Sequence, residues 1–478
     1  MEFAAEIGGP ELNFYIHLET GIFFLFLTMV VWTQAERASA TRYYSRNPRQ
    51  QIVGLSIVFI LLSLGLGALL YSVSPLLGIA LAAGFTLSLV HPANALCFFV
   101  HMLFLRPWEI LTDNPLLLAL PRLLAAVCFV SWLLYPGKGG KPTVRTRRAL
   151  ILLLAYSVWL FLTTFRVPDA SAAQLEWFNT FFKAVIVFLM CLYLIEDECS
   201  VLELKRTLVL STFALVVLGF YQYFFLPPDV AFGGCLHSIG MLGDSNDLAA
   251  GIIIALPLAL SMSFRPRANF LQQMGGILFA GISLAAIWYT RSRGALLALL
   301  TEVLAFGTFF KVQGRSLRLL SIAAFLGLGY VLALHAISRS SEEMEMSQES
   351  RVIYWKAAIN MAVHHPIWGV GFGQYPVNYE TYASTVKYEW GKRTAHSTWL
   401  LALAESGFVG GFLFTAFFIS VFRIAWNNFR ESPDQFYALA GYGVAMSFLS
   451  HTYVLYPYLL SGLILATSAI KERAVHGN

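Results

Sequence analysis

Charge is scarce in this chain: Asp, Glu, Lys and Arg together make up 12% of the 478 residues, while 58% are hydrophobic. Ordinary soluble domains carry about a quarter charged residues, so a water-soluble globule is excluded. Cysteine is scarce too. Cys97, Cys128, Cys191, Cys199 and Cys235 are scattered and none forms a CxxC pair, so neither a disulfide framework nor a zinc site is expected. The opening MEFAAEIGGPELNF has no basic n-region and no small-residue cleavage site, so no removable signal peptide is expected. The short alternating segments of an outer-membrane barrel are missing, as are repeats and low-complexity tracts. No nucleic-acid partner is expected.

What the chain does have is long apolar runs. A bilayer core needs roughly 20 apolar residues per helix, and such runs lie near 13–33, 52–73, 75–90, 93–105, 115–135, 149–166, 176–195, 207–226, 247–263, 275–290, 294–310, 319–336, 397–422, 436–451 and 455–470. The expected fold is therefore all-α, a polytopic inner-membrane helical bundle of about 13–15 transmembrane helices. It divides into N-terminal spans (1–206), central spans (207–336), one large loop (337–396) and C-terminal spans (397–478).

Lys and Arg orient the bundle through the positive-inside rule. The segments 34–51, 136–148, 196–206, 264–273, 311–318, 423–434 and 471–478 hold 20 of the 32 Lys/Arg and all fall on one side, expected to be the cytoplasm. The loop 337–396 falls on the other. It is charge-balanced, with six Glu and six Lys/Arg, and long loops translocate largely regardless of charge. Within it, VIYWKAAINMAV (352–363) reads as a short helix at the membrane interface, and HPIWGVGFGQY (365–375) supplies turns. The last six cations, Arg106, Arg122, Arg166, Lys183, Arg291 and Arg293, sit against the charge gradient. For Arg106 and Arg166, pairing with local acids or lipid phosphates is reason enough.

Four stretches could carry chemistry. In YTRSRGALLALL (289–300), Arg293 begins a helix with Arg291 beside it. A helix N-terminus favours anions and guanidinium binds phosphate bidentately, so this is a phosphate or diphosphate site. The alternative is a pair of arginines snorkelling to headgroups. In SRVIYW (350–355), Arg351 precedes an apolar stretch and is placed at a helix start. In HSTWLLALAESGFVGG (396–411), His396 lies at the mouth of a span with Ser397 beside it. A histidine there, with an ordinary pKa near 6.5, can take a proton from an alcohol. Glu405 is nine residues on, which on a continuous helix is the opposite face and about 13 Å along the axis, so it does not orient His396 unless the helix breaks. It is expected to face the protein interior, while Gly407, Gly410 and Gly411 permit close helix packing. In GMLGDSNDLAAG (240–251), Asp244, Ser245, Asn246 and Asp247 are helix-capping residues. Lys183, a few residues inside a span, reads as a buried ammonium that needs an anion.

GVGFGQ (369–374) has the wrong spacing for a dinucleotide fingerprint, and His364–His365 lacks the further ligands a metal would need.

Together these stretches resemble the O-antigen ligase and O-antigen polymerase family of bacterial glycan assembly. His396-Ser397 followed by Gly407 and Gly410 is similar to the ligases' histidine motif, and Arg293 with Leu297 fits their arginine–leucine motif. SRVIYWKAAINMAVHHPIWGVGFGQY resembles the family's outer-loop stretch, and GDSNDLAAG resembles a shorter one in which Ser245 stands where proline is common. The likeness covers roughly residues 233–425. It implies an inverting, metal-independent glycosyltransferase with no cofactor, acting on the periplasmic face of the bacterial inner membrane. The donor would be a polyprenyl-diphosphate-linked glycan and the acceptor a glycan, lipid-A core or glycoprotein; a flippase and a chain-length regulator are the implied partners. His396, Arg293 and Arg351 would be catalytic, and Arg291, Lys183, Asn246 and Ser397 would bind substrate. The competing reading is a transporter or flippase of a lipid-linked or anionic substrate, which should instead place ionisable residues near the bilayer midplane.

Overall fold

The structure, a computed structural model, describes residues 91–106, 115–134, 142–225, 234–265, 268–309, 341–384 and 394–476, with positions 84, 88, 108 and 327. The expected spans at 13–33, 52–73, 75–90 and 319–336 lie outside the described residues, isolated positions aside. Every regular element among those described is helical. Six helices are long and apolar enough to cross a membrane, over residues 144–166, 170–194, 198–225, 245–263, 270–289 and 398–427. Their outward faces carry large apolar side chains that no protein covers, such as Ile151, Val158, Leu278 and Phe412, the last 70% exposed. Each Å² of such surface costs about 25 cal/mol in water, so these faces belong in lipid. This is a polytopic helical membrane protein.

The helices fall into two compact units. The first contains α1 (Pro92–Leu105), α2 (Pro115–Leu134), α6 (Glu198–Phe225) and most of α8 (Phe270–Tyr289), with the first turn of α7 (Ser245–Ser263). Here α1 packs on both α2 and α6, and its buried His101 meets Ser211 Oγ at 2.9 Å. Arg106 closes α1 in the left-handed conformation, its N–H bonded to Met102 O. The helix α6 begins at Glu198, not at 207 as expected. Asp197 caps its first turn through Ser200 N–H at 2.7 Å, and the charged residues that follow lack the apolar signal of a span while being good helix formers.

The second unit contains α3 (Val144–Thr163), α4 (Ala170–Asn179), the start of α5 (Phe181–Leu194), α9 (Arg293–Phe309), α10 (Ser341–His364), α11 (Tyr375–Tyr382), α12 (Thr398–Asn427), α13 (Pro433–Met446) and α14 (Leu455–His476). α12 packs on α3, α10, α13 and α14, and α9 packs on α13. Between α10 and α12 lies an apolar cluster of Ile353, Tyr354, Ala357, Ala358, Met361, Leu401 and Ala404, closed by Tyr375 and Tyr379 of α11.

Two expectations change here. The span expected at 176–195 begins earlier, at Ala170, and is interrupted at Thr180, which divides it into α4 and α5. The interface helix expected at 352–363 starts at Ser341 and ends at His364, because the charged run 342–349 carries helix propensity without apolar periodicity.

Candidate functional site

The site grows from the start of α12. Ser397 is its N-cap, although the bond from Leu400 N–H to Ser397 Oγ is long at 3.5 Å. Thr398 Oγ1 donates to Leu449 O at 2.7 Å and accepts from His451 N–H at 2.9 Å, and Thr452 Oγ1 donates to Thr398 O at 2.8 Å. The turn 447–454 between α13 and α14 is thereby fastened to the first residues of α12.

His396 sits just before that cap with φ 46°, a left-handed conformation uncommon outside glycine. It is held from both sides: its N–H donates to Ser450 Oγ at 2.9 Å, and its carbonyl accepts the Trp355 indole N–H at 3.5 Å. Its ring lies beside Tyr354, centroids 5.7 Å apart and tilted 32°. Strain of this kind, about 1–3 kcal/mol, persists only where the surroundings over-determine it.

Arg351 and the start of α9 meet the same turn. Arg293 is the first residue of α9, as expected, with Ser292 capping the helix through Ala295 N–H at 3.4 Å. The next residue, Gly294, faces Phe448 so closely that a Cβ there would come within 3.2 Å of the Phe448 side chain. The guanidinium carbon of Arg351 lies 5.8 Å from the centroid of the same Phe448 ring, and Trp355, one helical turn on, has its ring centroid 6.3 Å away. Phe448 thus joins the start of α9 to the arginine-bearing face of α10, and Ser450, two residues on, holds His396. Arg291 is exposed at φ 53° in the turn before α9. Of the three non-glycine residues with positive φ among those described, Arg291 and His396 belong to this cluster.

Two placements are corrected, those of Arg351 and Lys183. Arg351 lies well inside α10 and not at a helix start, so it contributes charge and stacking without a helix dipole. Lys183 is not buried: the break at Thr180 sets it near the beginning of α5 with an exposed side chain, while Phe181, Ala184 and Val185 face inward. Asn246 belongs to the other unit, where Asp244 caps α7 and accepts from both the backbone N–H (2.8 Å) and the side chain (3.2 Å) of Asn246. Arg166 lies over the Trp368 ring, 5.5 Å from its centroid.

Gly407 does more than allow packing. At φ 67° and ψ −171° it interrupts α12, in a region essentially restricted to glycine. The break frees backbone groups. Phe408 N–H donates to Pro366 O at 2.7 Å, Trp159 Nε1–H donates to Ser406 O at 2.9 Å, and Ala404 O and Glu405 O accept from Val370 and Gly371. The turn 365–374 is thus laid along the broken helix, and a Cβ on Gly407 would collide with the Ile367 carbonyl. Gly369, Gly371 and Gly373 all have positive φ, which bears out the turn reading.

Glu405 is buried, as expected. Its oxygens accept from Gly373 N–H at 3.1 Å, Tyr375 N–H at 2.9 Å and the Tyr453 hydroxyl at 2.6 Å. The sequence reading missed the whole 447–454 turn, whose SFLSHTYV read partly as helix end, although its two serines, histidine and threonine were a visible signal. It also passed over Glu302, buried in α9 where Gly441 of α13 leaves room for it. Among the described residues no three His, Cys, Asp or Glu side chains are placed to share a metal ion.

The fold and the cluster define a helical membrane protein in which one turn holds a strained histidine, meets Arg351 and packs on the helix start next to Arg293. Residues 278–415 match the family described as O-Antigen ligase. The matched range contains Arg291, Arg293, Arg351, His396 and the break at Gly407. No curated protein matches the chain closely.

Proposed function

We propose that the chain is a glycosyltransferase of the O-antigen ligase or polymerase type, which moves a glycan from a polyprenyl diphosphate to an acceptor hydroxyl on the periplasmic face of the inner membrane. The observation that supports the reading is the turn around Phe448 and Ser450, which packs on the start of α9 next to Arg293, meets the Arg351 guanidinium and accepts the His396 N–H. The leaving group is already a diphosphate, so the reaction needs fixed cations to hold it. Arg293, at the positive end of α9, and Arg351 grip its oxygens, and Arg291 supports them. His396 accepts the proton of the acceptor hydroxyl while its oxygen attacks the anomeric carbon from the face opposite the diphosphate. The new C–O bond forms as the bond to the diphosphate breaks, and the anomeric centre inverts. The diphosphate leaves with the bonding pair, and the proton passes from the imidazole to solvent. No step in this scheme requires a metal.

The ligase domain favours this over a transporter. Deleting the chain in its own cell should make polyprenyl-diphosphate-linked glycan accumulate and should remove the polysaccharide from its acceptor. Purified protein given that donor and acceptor should transfer the glycan equally with and without chelator. A donor pool that stays unprocessed on the cytoplasmic leaflet of the deletion strain would favour a flippase. Activity lost in chelator and rescued by magnesium would overturn the arginine-only site.

The face of the membrane is tested separately. Lys356 on α10 and Arg148 on α3 are both exposed, and the positive-inside reading puts them on opposite sides. Cys97, Cys128 and Cys191 are buried, so only Cys199 and Cys235 need replacing by Ser. On intact spheroplasts, Lys356→Cys should react with an impermeant thiol reagent and Arg148→Cys should react only after lysis. The reverse pattern would put His396 in the cytoplasm and sink the periplasmic assignment.

A further inference from the structure

Glu405 lies on the broken helix that begins beside His396, and what it touches are the two structures that hold His396 in place. One is the turn 447–454. The Tyr453 hydroxyl donates to Glu405 at 2.6 Å, and Ser450 on the same turn accepts the His396 N–H. The other is the glycine-rich turn. Glu405 accepts the Tyr375 N–H at 2.9 Å, and the Tyr375 hydroxyl donates to Tyr354 O at 2.8 Å. The Tyr354 ring is the one that lies beside the His396 imidazole. A single carboxylate therefore fastens both walls of the histidine's seat.

We infer that Glu405 is a positioning residue which, through Tyr453 on one side and Tyr375 on the other, sets the location of His396 relative to the arginines; this rests on the glycan-transfer reading. Burial keeps the Tyr375 and Tyr453 hydroxyls well above the ordinary tyrosine range, and the Glu405 charge adds to this at both. Both therefore remain donors at any working pH. The Tyr453 ring is anchored independently by edge contacts with Phe372 and Phe181 at centroid distances of 4.7 and 5.9 Å. Removing its hydroxyl therefore leaves the packing in place and deletes one bond. Gly407, two residues beyond Glu405, keeps the glycine-rich turn close enough to be held.

The test is steady-state kinetics on Tyr453→Phe, Glu405→Gln and Glu405→Ala in the full-length protein, with thermal stability measured in the same detergent. Misplacing a general base by a fraction of an ångström leaves donor binding to the arginines intact, so kcat should fall while the donor KM stays within about twofold. Tyr453→Phe should lose roughly 10-fold in kcat, and Glu405→Ala about 100-fold. Glu405→Gln keeps one acceptor oxygen and should fall between them. In a His396→Asn background, where no base remains to be placed, Tyr453→Phe should cost nothing further. If wild-type protein transfers no glycan, the functional reading itself fails. If wild type is active and Tyr453→Phe keeps full kcat, or its loss persists undiminished in the His396→Asn background, the positioning role is overturned. A fall in stability with kcat and KM changing together would make Glu405 a structural residue only.

Discussion

Replacing His396 by Asn is expected to lower glycan transfer by about 10²–10⁴, the usual worth of a general base, while expression and donor binding persist. The choice of asparagine follows from the backbone. His396 sits at φ 46°, where Asn is among the few non-glycine residues at ease, so the substitution removes the imidazole without adding strain. His396→Gly goes further, because glycine adopts that conformation freely. It should be as inactive as Asn but no less stable, and it should gain up to about 1 kcal/mol if strain relief exceeds the added freedom of the unfolded chain. A variant that is both dead and more stable would show that strain is being held for function. Near-normal transfer by His396→Asn would remove the histidine from the chemistry, and the cluster would then be an anion site alone.

The parts of this site that were legible in the sequence are those whose signal is local. Arg293 at a helix start follows from a charged turn meeting an apolar run, and the structure begins α9 at that residue. The glycine-rich turn was legible because Gly369, Gly371 and Gly373 are spaced too closely for a helix, and all three have positive φ. The break at Gly407 was not legible. Glycines at 407, 410 and 411 in an apolar run are also the pattern of close helix packing, and Gly410 does approach the Trp159 ring, a Cβ there falling 3.0 Å from it. Only the backbone of 366–371, brought from another part of the chain, distinguishes the two uses. Lys183 was misread because a hydropathy window runs through Thr180, where the helix actually stops. Arg351 was misread because 341–350 lacks apolar periodicity, although the helix is continuous there. Phe448 and Ser450 carry no motif of their own. They matter because α13 and α14 turn back over the start of α12, a tertiary fact with no local trace.

Replacing Arg293 by Ala should abolish transfer, and replacing it by Lys should recover only part of it. A fixed donor aimed at developing negative charge is worth about 10²–10³ in rate, and a diphosphate leaving group develops its charge on several oxygens at once. Guanidinium meets two of them in one plane, whereas ammonium offers a point charge. The Lys variant should therefore sit well above Ala and at least about 10-fold below wild type. Geometry sharpens the expectation. Gly294, next to Arg293, holds the first turn of α9 against Phe448, and the Arg351 guanidinium approaches the same ring from α10. Arg351→Lys keeps the charge but should still lose activity, because the planar guanidinium over Phe448 is also a stacking contact. Arg291 is exposed in the preceding turn, and Arg291→Gly, which suits its φ of 53°, should cost less than 10-fold if it only supports the grip. The decisive comparison is Arg293→Lys against wild type at saturating donor. Equal rates would mean that simple positive charge at the start of α9 is enough, and the two-point hold on the diphosphate would have to be abandoned.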